Sequence, residues 1–188
     1  MLHHIIKSKS LLTWVGFCLL LTSCQTPDKT PEQGDRGPYI NLDSIFTVQL
    51  DKLIQTNAVL TKKLTIGEQT EVIVLDTADF KTEMEAFLEL DINKPAWDGA
   101  FAITSVSEQG ETIKTYTALK KEIPIKQVQI IEVNGLIKRI EANVQRGSLI
   151  SSSQKHLWYE IGKAYGMELS QNMIGLDSKD FKVEVTIE

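Results

Sequence analysis

From Trp97 to Glu188 the chain is a succession of strand-length segments separated by tight glycine joints, and few folds can hold such a run. The segments fall at about 99–107, 111–119, 125–133, 136–145, 149–160, 164–174 and 180–187. Gln109-Gly110, Asn134-Gly135, Arg146-Gly147, Gly162 and the region from Gly175 to Asp177 join them. Asn134-Gly135 is the clearest turn signal, because a type I′ turn needs positive φ at both central residues. The last segment alternates, with Phe181, Val183, Val185 and Ile187 on one side and Lys182, Glu184 and Thr186 on the other. One-sided alternation means an antiparallel sheet with one buried and one wet face. Short joints favour pairing of sequential neighbours, hence a meander.

The residues before Trp97 supply a cover for the apolar face. Leu42, Ile45, Phe46, Leu50, Leu53 and Ile54 recur at three- and four-residue spacing, which predicts a helix with one apolar stripe, capped by Asn41 or Asp43. Residues 58–65 and 71–76 then read as a hairpin around a four-residue loop, Ile66-Gly67-Glu68-Gln69. Helical spacing returns at Phe80, Met84, Phe87 and Leu88, with Asp76 or Thr77 as cap and Pro95 as the stop. The expected fold is α+β: two N-terminal helices separated by a β-hairpin, then an antiparallel meander of about six to seven strands covered on one face by the helices. Residues 39–188 form that single domain. About 150 residues bury roughly 70% of their unfolded surface, enough for stability without disulfides.

The first 38 residues follow different rules. Lys7 and Lys9 precede an uncharged run from Leu11 to Leu21, the pattern of an export signal, and the run is too short for the roughly 20 apolar residues of a membrane span. It ends in Leu21-Thr22-Ser23-Cys24, which resembles the lipobox of bacterial lipoproteins. That resemblance implies a signal peptide over 1–23, cleavage before Cys24, and acylation of Cys24 with a diacylglycerol and a further chain such as palmitate. Several acyl chains at about 0.8 kcal/mol per buried methylene anchor a protein stably. Residues 25–38, Gln-Thr-Pro-Asp-Lys-Thr-Pro-Glu-Gln-Gly-Asp-Arg-Gly-Pro, offer no large apolar side chain and read as a flexible tether of at most ~46 Å. Gln25 beside the lipidated cysteine implies the outer membrane, with a periplasmic or surface face left open.

Charge and composition restrict the chemistry. Cleavage leaves 18 Lys and Arg (20 minus Lys7 and Lys9) against 25 Asp and Glu, a net charge of −7, which opposes nucleic-acid binding. Cys18 goes with the signal and Cys24 is taken by lipid, so no thiol remains for a disulfide, a metal or catalysis. His156 is the single histidine after residue 4, which excludes sites built on two or three histidines. It shares strand parity with Ser152, Gln154 and Trp158 and reads as a surface residue. Ser152-Ser153-Gln154-Lys155 matches the Ser-x-x-Lys of penicillin-recognising enzymes, and Ser170-Gln171-Asn172 loosely matches their second motif. In a strand, however, a three-residue spacing sends the two side chains to opposite faces. Trp97, Trp158, Tyr159 and Tyr165 read as packing aromatics before a stacking platform for sugar or lipid.

Asp91-Ile92-Asn93-Lys94-Pro95-Ala96-Trp97, set between the second helix and the meander, resembles a segment of small lipoproteins of Bacteroidota that carry no assigned activity. The resemblance implies an envelope location and this architecture. Within it, Asp91 and Lys94 read as turn-stabilising groups. The functional expectation is a lipid-anchored, non-catalytic binding or assembly module without a cofactor or metal. Its partners would be the membrane, through Cys24, and an envelope protein. The alternatives are a carrier of an apolar ligand or lipid in a curved-sheet cavity and a small carboxylate-dependent hydrolase.

Overall fold

A computed structural model describes residues 39–188. The signal segment 1–23, the lipobox with Cys24 and the tether 24–38 lie outside the described residues.

Helix α1 (Leu42–Thr56) starts at Asn41, whose Oδ1 accepts from Ser44 N at 3.0 Å, and ends where Asn57 turns left-handed at φ 46°. Its buried stripe is Leu42, Phe46 and Leu53. Strands β1 (Leu60–Ile66) and β2 (Gln69–Leu75) follow, joined by Gly67-Glu68 alone, because Ile66 and Gln69 already pair. The hairpin is thus tighter than its sequence suggests, with Gly67 at φ 57° reversing the chain.

Helix α2 (Phe80–Leu88) is capped by Asp79, and neither Asp76 nor Thr77 fills that role. Asp79 accepts from Lys81 N at 3.2 Å and Thr82 N at 3.4 Å, and takes a 2.8 Å bond from the Thr82 hydroxyl. Those bonds hold its carboxyl below its usual pKa, the Thr82 hydroxyl contributing most. The helix stops at Leu88, well before Pro95. Leu90 and Ile92 then turn into the core, and Pro95–Trp97 form one 3-10 turn.

The meander comprises β3 (Phe101–Glu108), β4 (Glu111–Ala118), β5 (Ile125–Val133), β6 (Leu136–Gly147), β7 (Ser151–Glu160), β8 (Ala164–Met173) and β9 (Leu176–Ile187). Asn134 and Gly135 take φ of 51° and 77°, the double positive φ that the turn requires. Strand β9 begins at Leu176, four residues earlier than its alternation suggests, because Leu176 pairs with Met173.

All nine strands form one antiparallel sheet in the order β2-β1-β9-β8-β7-β6-β5-β4-β3. The meander supplies seven of these strands, and the sheet is larger than a meander of six to seven strands because the hairpin joins it. The early hairpin adds to the last strand, from Leu60 opposite Ile187 to Ile66 opposite Phe181. A hairpin on its own is marginal in water, and pairing β1 with β9 extends one apolar face across both.

The core is a band across that face. Leu60, Val185, Tyr165, Leu157, Tyr159, Ile140, Ala142, Val128, Ile130, Tyr116 and Phe101 supply it from eight strands, and Phe46, Met84 and Phe87 from the helices. Phe46 and Phe87 both meet Tyr159, at ring distances of 5.7 and 5.5 Å, while Tyr159 stacks on Tyr165 at 5.9 Å. The expected helical cover of a whole face is thereby corrected to a strip. No residue of β2 is buried, and β3 buries only Phe101.

Candidate functional site

The segment between α2 and β3 fixes where the chain enters the fold. Asp91 Oδ1 accepts from Asn93 N at 2.8 Å, a tight Asx turn that directs the Asn93 amide back toward the N-terminal end of the domain. Asn93 Oδ1 accepts from Tyr39 N at 3.1 Å, while its Nδ2 donates to Tyr39 O at 3.2 Å and Ile40 O at 3.0 Å. The Tyr39 hydroxyl in turn accepts from Phe101 N at 3.0 Å. Lys94 lies over the Trp97 ring, 4.7 Å from its centroid. Asp91 is thus a turn-stabilising residue, as its sequence suggests. Lys94 makes a cation–π contact with Trp97, and Asn93 is the residue that sequence reasoning passes over. No pattern in the sequence marks it, since its partners lie 53 and 54 positions away.

Around this clip lies an open recess of about 1010 Å³, bordered by Tyr39, Asp91, Asn93, Lys94, Glu89 and Arg146. Arg146 comes from the far end of β6 and approaches Glu89 at 3.7 Å. The point where the chain enters the domain and the β6–β7 hairpin therefore flank the same recess. The recess is open to solvent, with charged side chains on its rim and Leu88, Ile92 and Pro95 in its lining.

The second concentration of polar chemistry is the sheet face away from the aromatic core. Lys182 sits between Glu168 at 3.3 Å and Glu184 at 3.1 Å, and its pKa is raised mainly by the Glu184 hydrogen bond. His156 Nδ1 lies 2.9 Å from Asn143 Oδ1, and its Nε2 3.8 Å from Glu141. Glu141 also takes a 2.6 Å bond from Arg139, whose guanidinium lies 4.8 Å from the Trp158 ring centroid. Trp158 lies flat on Gly166, where a Cβ would come within 2.6 Å of the indole. His156, Glu168 and Lys182 border a recess of about 640 Å³ on this part of the sheet.

Cys24 lies outside the described residues, while those singled out within the folded domain each have a definite place. His156 is half-exposed on the polar face, beside an amide and a carboxylate. Ser152 and Lys155 lie in β7 three residues apart, so their side chains leave the strand on opposite faces. Ser152 pairs with Asn172, and Lys155 with Leu169. The four aromatics do not share one platform. Tyr159 and Tyr165 are buried against the helices, Trp97 packs edge-on against Phe101, and Trp158 lies on the opposite face under Arg139.

One further ion pair joins helix to sheet: Lys62 of β1 donates to both oxygens of Glu83 at 2.9 Å, and the Tyr165 hydroxyl lies 3.4 Å from the same carboxylate. Burial foremost, and Glu83 next, push the Tyr165 hydroxyl pKa up.

Among the described residues, no group of three or more His, Cys, Asp or Glu side chains could hold a metal ion, and no helix is long and apolar enough to cross a membrane. No protein-family model matches the chain, and no curated protein matches it either.

Proposed function

We propose that the chain is a cell-envelope lipoprotein, anchored in the outer membrane by acyl chains on Cys24, whose folded domain is a non-catalytic binding or assembly module. The lipobox Leu21-Thr22-Ser23-Cys24 and the tether motivate the anchor. The observation that carries the module is the open, charged recess beside the chain entry point, ringed by Asn93, Lys94, Glu89 and Arg146. The reactive side chains also favour binding over catalysis. His156, Glu141, Arg139, Lys182, Glu168 and Glu83 are each engaged with a neighbour, Arg139 and Glu141 along β6 and the others across strands or between helix and strand. Among carboxyls, the pKa values of Asp79 and Glu160 move down, Glu160 through its hydrogen bond from Lys163, which favours the charged form. A raised value would suit a general acid. The Asp91-Ile92-Asn93-Lys94-Pro95-Ala96 segment supports kinship with the small lipoproteins of Bacteroidota.

The carrier reading draws less support. Its ligand would sit between helices and sheet, where Phe46, Phe87, Tyr159 and Tyr165 pack ring against ring.

The test has two parts in intact cells. Mass spectrometry of the mature N-terminal peptide should find Cys24 acylated, and a free thiol there would overturn the anchor. A photo-crosslinking amino acid in place of Asp98, which borders the recess, should give one discrete adduct. Repeated absence of any adduct would overturn the module.

A further inference from the structure

Strands β6 to β9 run on past their neighbours at one end of the sheet. Strand β9 begins at Leu176, whereas its first partner in β1 is met only at Phe181, five residues later (181 − 176). At about 3.4 Å per residue the β8–β9 hairpin therefore projects roughly 17 Å beyond the β1–β2 turn. The neighbouring β6–β7 hairpin projects with it, and Ile174 N donates to Ile150 O at 3.0 Å, tying the two tips together. These tips carry the most exposed aliphatic cluster of the domain: Leu149 is 96% exposed and Ile174 75%, with Ile150, Met173 and Leu176 beside them. Beside the cluster stand Ser148, Ser151 and Asn172, with the charged Asp177, Lys179 and Arg146 behind it.

We propose that the paired tips are a membrane-interface insertion site, a second contact with the bilayer that supplements the lipid on Cys24. The proposal rests on the lipoprotein reading for its orientation. Tyr39, where the chain enters the domain, borders the same recess as Arg146, three residues before Leu149. Fourteen residues separate Cys24 from Tyr39, and a tether of at most ~46 Å lets this end of the sheet reach the lipid surface. The large side chains of the tips, Leu149, Ile150, Met173, Ile174 and Leu176, are all without charge or hydroxyl, the kind that gain most from leaving water for acyl chains. The turn backbone is also prepared to leave water. Ser148 Oγ accepts from Ile150 N at 3.3 Å and Ser151 N at 3.2 Å, and Ser148 N donates to Ser151 O at 2.7 Å. With Ile174 N bonded to Ile150 O, four backbone N–H groups at the tips are already satisfied, which lowers the cost of immersing them.

The experiment uses the mature protein, extracted from membranes and reconstituted into pure phosphatidylcholine vesicles, with an environment-sensitive fluorophore on Ile174→Cys. The reference carries the label on Val106→Cys, an exposed position on edge strand β3. The expected result is a blue-shifted emission at position 174 and severalfold stronger quenching by acyl-chain-brominated lipid than at position 106. Adding Leu149→Asp should reverse most of that quenching while the far-UV spectrum stays unchanged. Equal, water-like emission at both positions with Cys24 acylated would overturn tip insertion and leave the anchor standing. Quenching seen in native envelope vesicles but not in pure lipid would overturn it in favour of protein docking. If Cys24 proves unacylated the anchor reading fails, and flotation of the labelled protein with the vesicles then decides for or against the tips.

Discussion

At the centre of the sheet Phe46 and Phe87 reach down onto Tyr159 and Tyr165 and all four lose nearly all contact with water, whereas at the tips Leu149 and Ile174 stand fully in it. Both groups are dominated by large side chains with mostly apolar surface. What separates them is the number of layers: the centre has helix over sheet, and the tips have strands alone. Apolar side chains at the centre hold the fold together, and those at the tips contribute almost nothing to it. That contrast lets stability and surface binding be tested separately.

The largest effect should come from the centre. Phe87→Ala removes a ring that touches Phe46, Tyr159 and Tyr165 at 5.4–5.7 Å, and should cost about 3–5 kcal/mol in urea unfolding. A loss below about 1 kcal/mol would mean that the helices are not held by this cluster.

The next effect sharpens the comparison through pH. Burial pushes the Tyr159 hydroxyl up to about 12, and burial with Glu83 also raises that of Tyr165. An unfolded tyrosine loses its proton near pH 10, so between pH 10 and 12 the folded state binds more protons than the unfolded one. The stabilisation is whole below about pH 10 and is lost as pH rises through the folded value. Each tyrosine contributes a slope of about 1.4 kcal/mol per pH unit in that window. Tyr159→Phe should make the alkaline loss shallower by its own share, leaving that of Tyr165, Tyr116 and the paired lysines, read from urea midpoints at pH 10, 11 and 12; an unchanged slope would place the tyrosine outside the core.

At the tips, Leu149→Ser with Ile174→Ser should move stability by no more than about 0.5 kcal/mol, because neither side chain is buried. A loss of 2 kcal/mol or more, roughly the scale of a buried aliphatic side chain, would erase the distinction between the two regions.

Much of this architecture is legible in the sequence, because its local signals are strong. The alternation of Phe181, Val183 and Val185 marks a strand, Asn134-Gly135 marks a turn, and the stripe of Leu42, Phe46 and Leu53 marks a helix. The missed features depend on long-range partners. Pairing of β1 with β9 joins residues more than a hundred positions apart, so in the sequence the hairpin reads as a unit separate from the sheet that it in fact extends. Asp79 wins the cap over Asp76 because Phe80, not an earlier residue, is where the chain begins to coil over the sheet. In the candidate site, the polar neighbours of His156 were beyond reach: its strand parity was legible, but Asn143 and Glu141 arrive from β6. The exposure of the tips is hidden for another reason. Leu149 and Ile150 open one strand-like segment and Ile174 closes another, and only the unequal lengths of neighbouring strands expose them.

The position of β1 has a consequence for how the chain folds. Leu60 finds its partner in Ile187, the penultimate residue, across 127 positions (187 − 60). Loop closure over such a separation is slow, and contacts of this kind dominate the folding time of sheet proteins. The sheet can grow from β3 toward β8 by local hairpins as the chain becomes available. The N-terminal hairpin must wait, with Val72, Ile73 and Val74 uncovered, until the final strand is in place to receive it. A chain shortened by its last dozen residues would lose β9, and with it the only strand that joins the first hairpin to the rest.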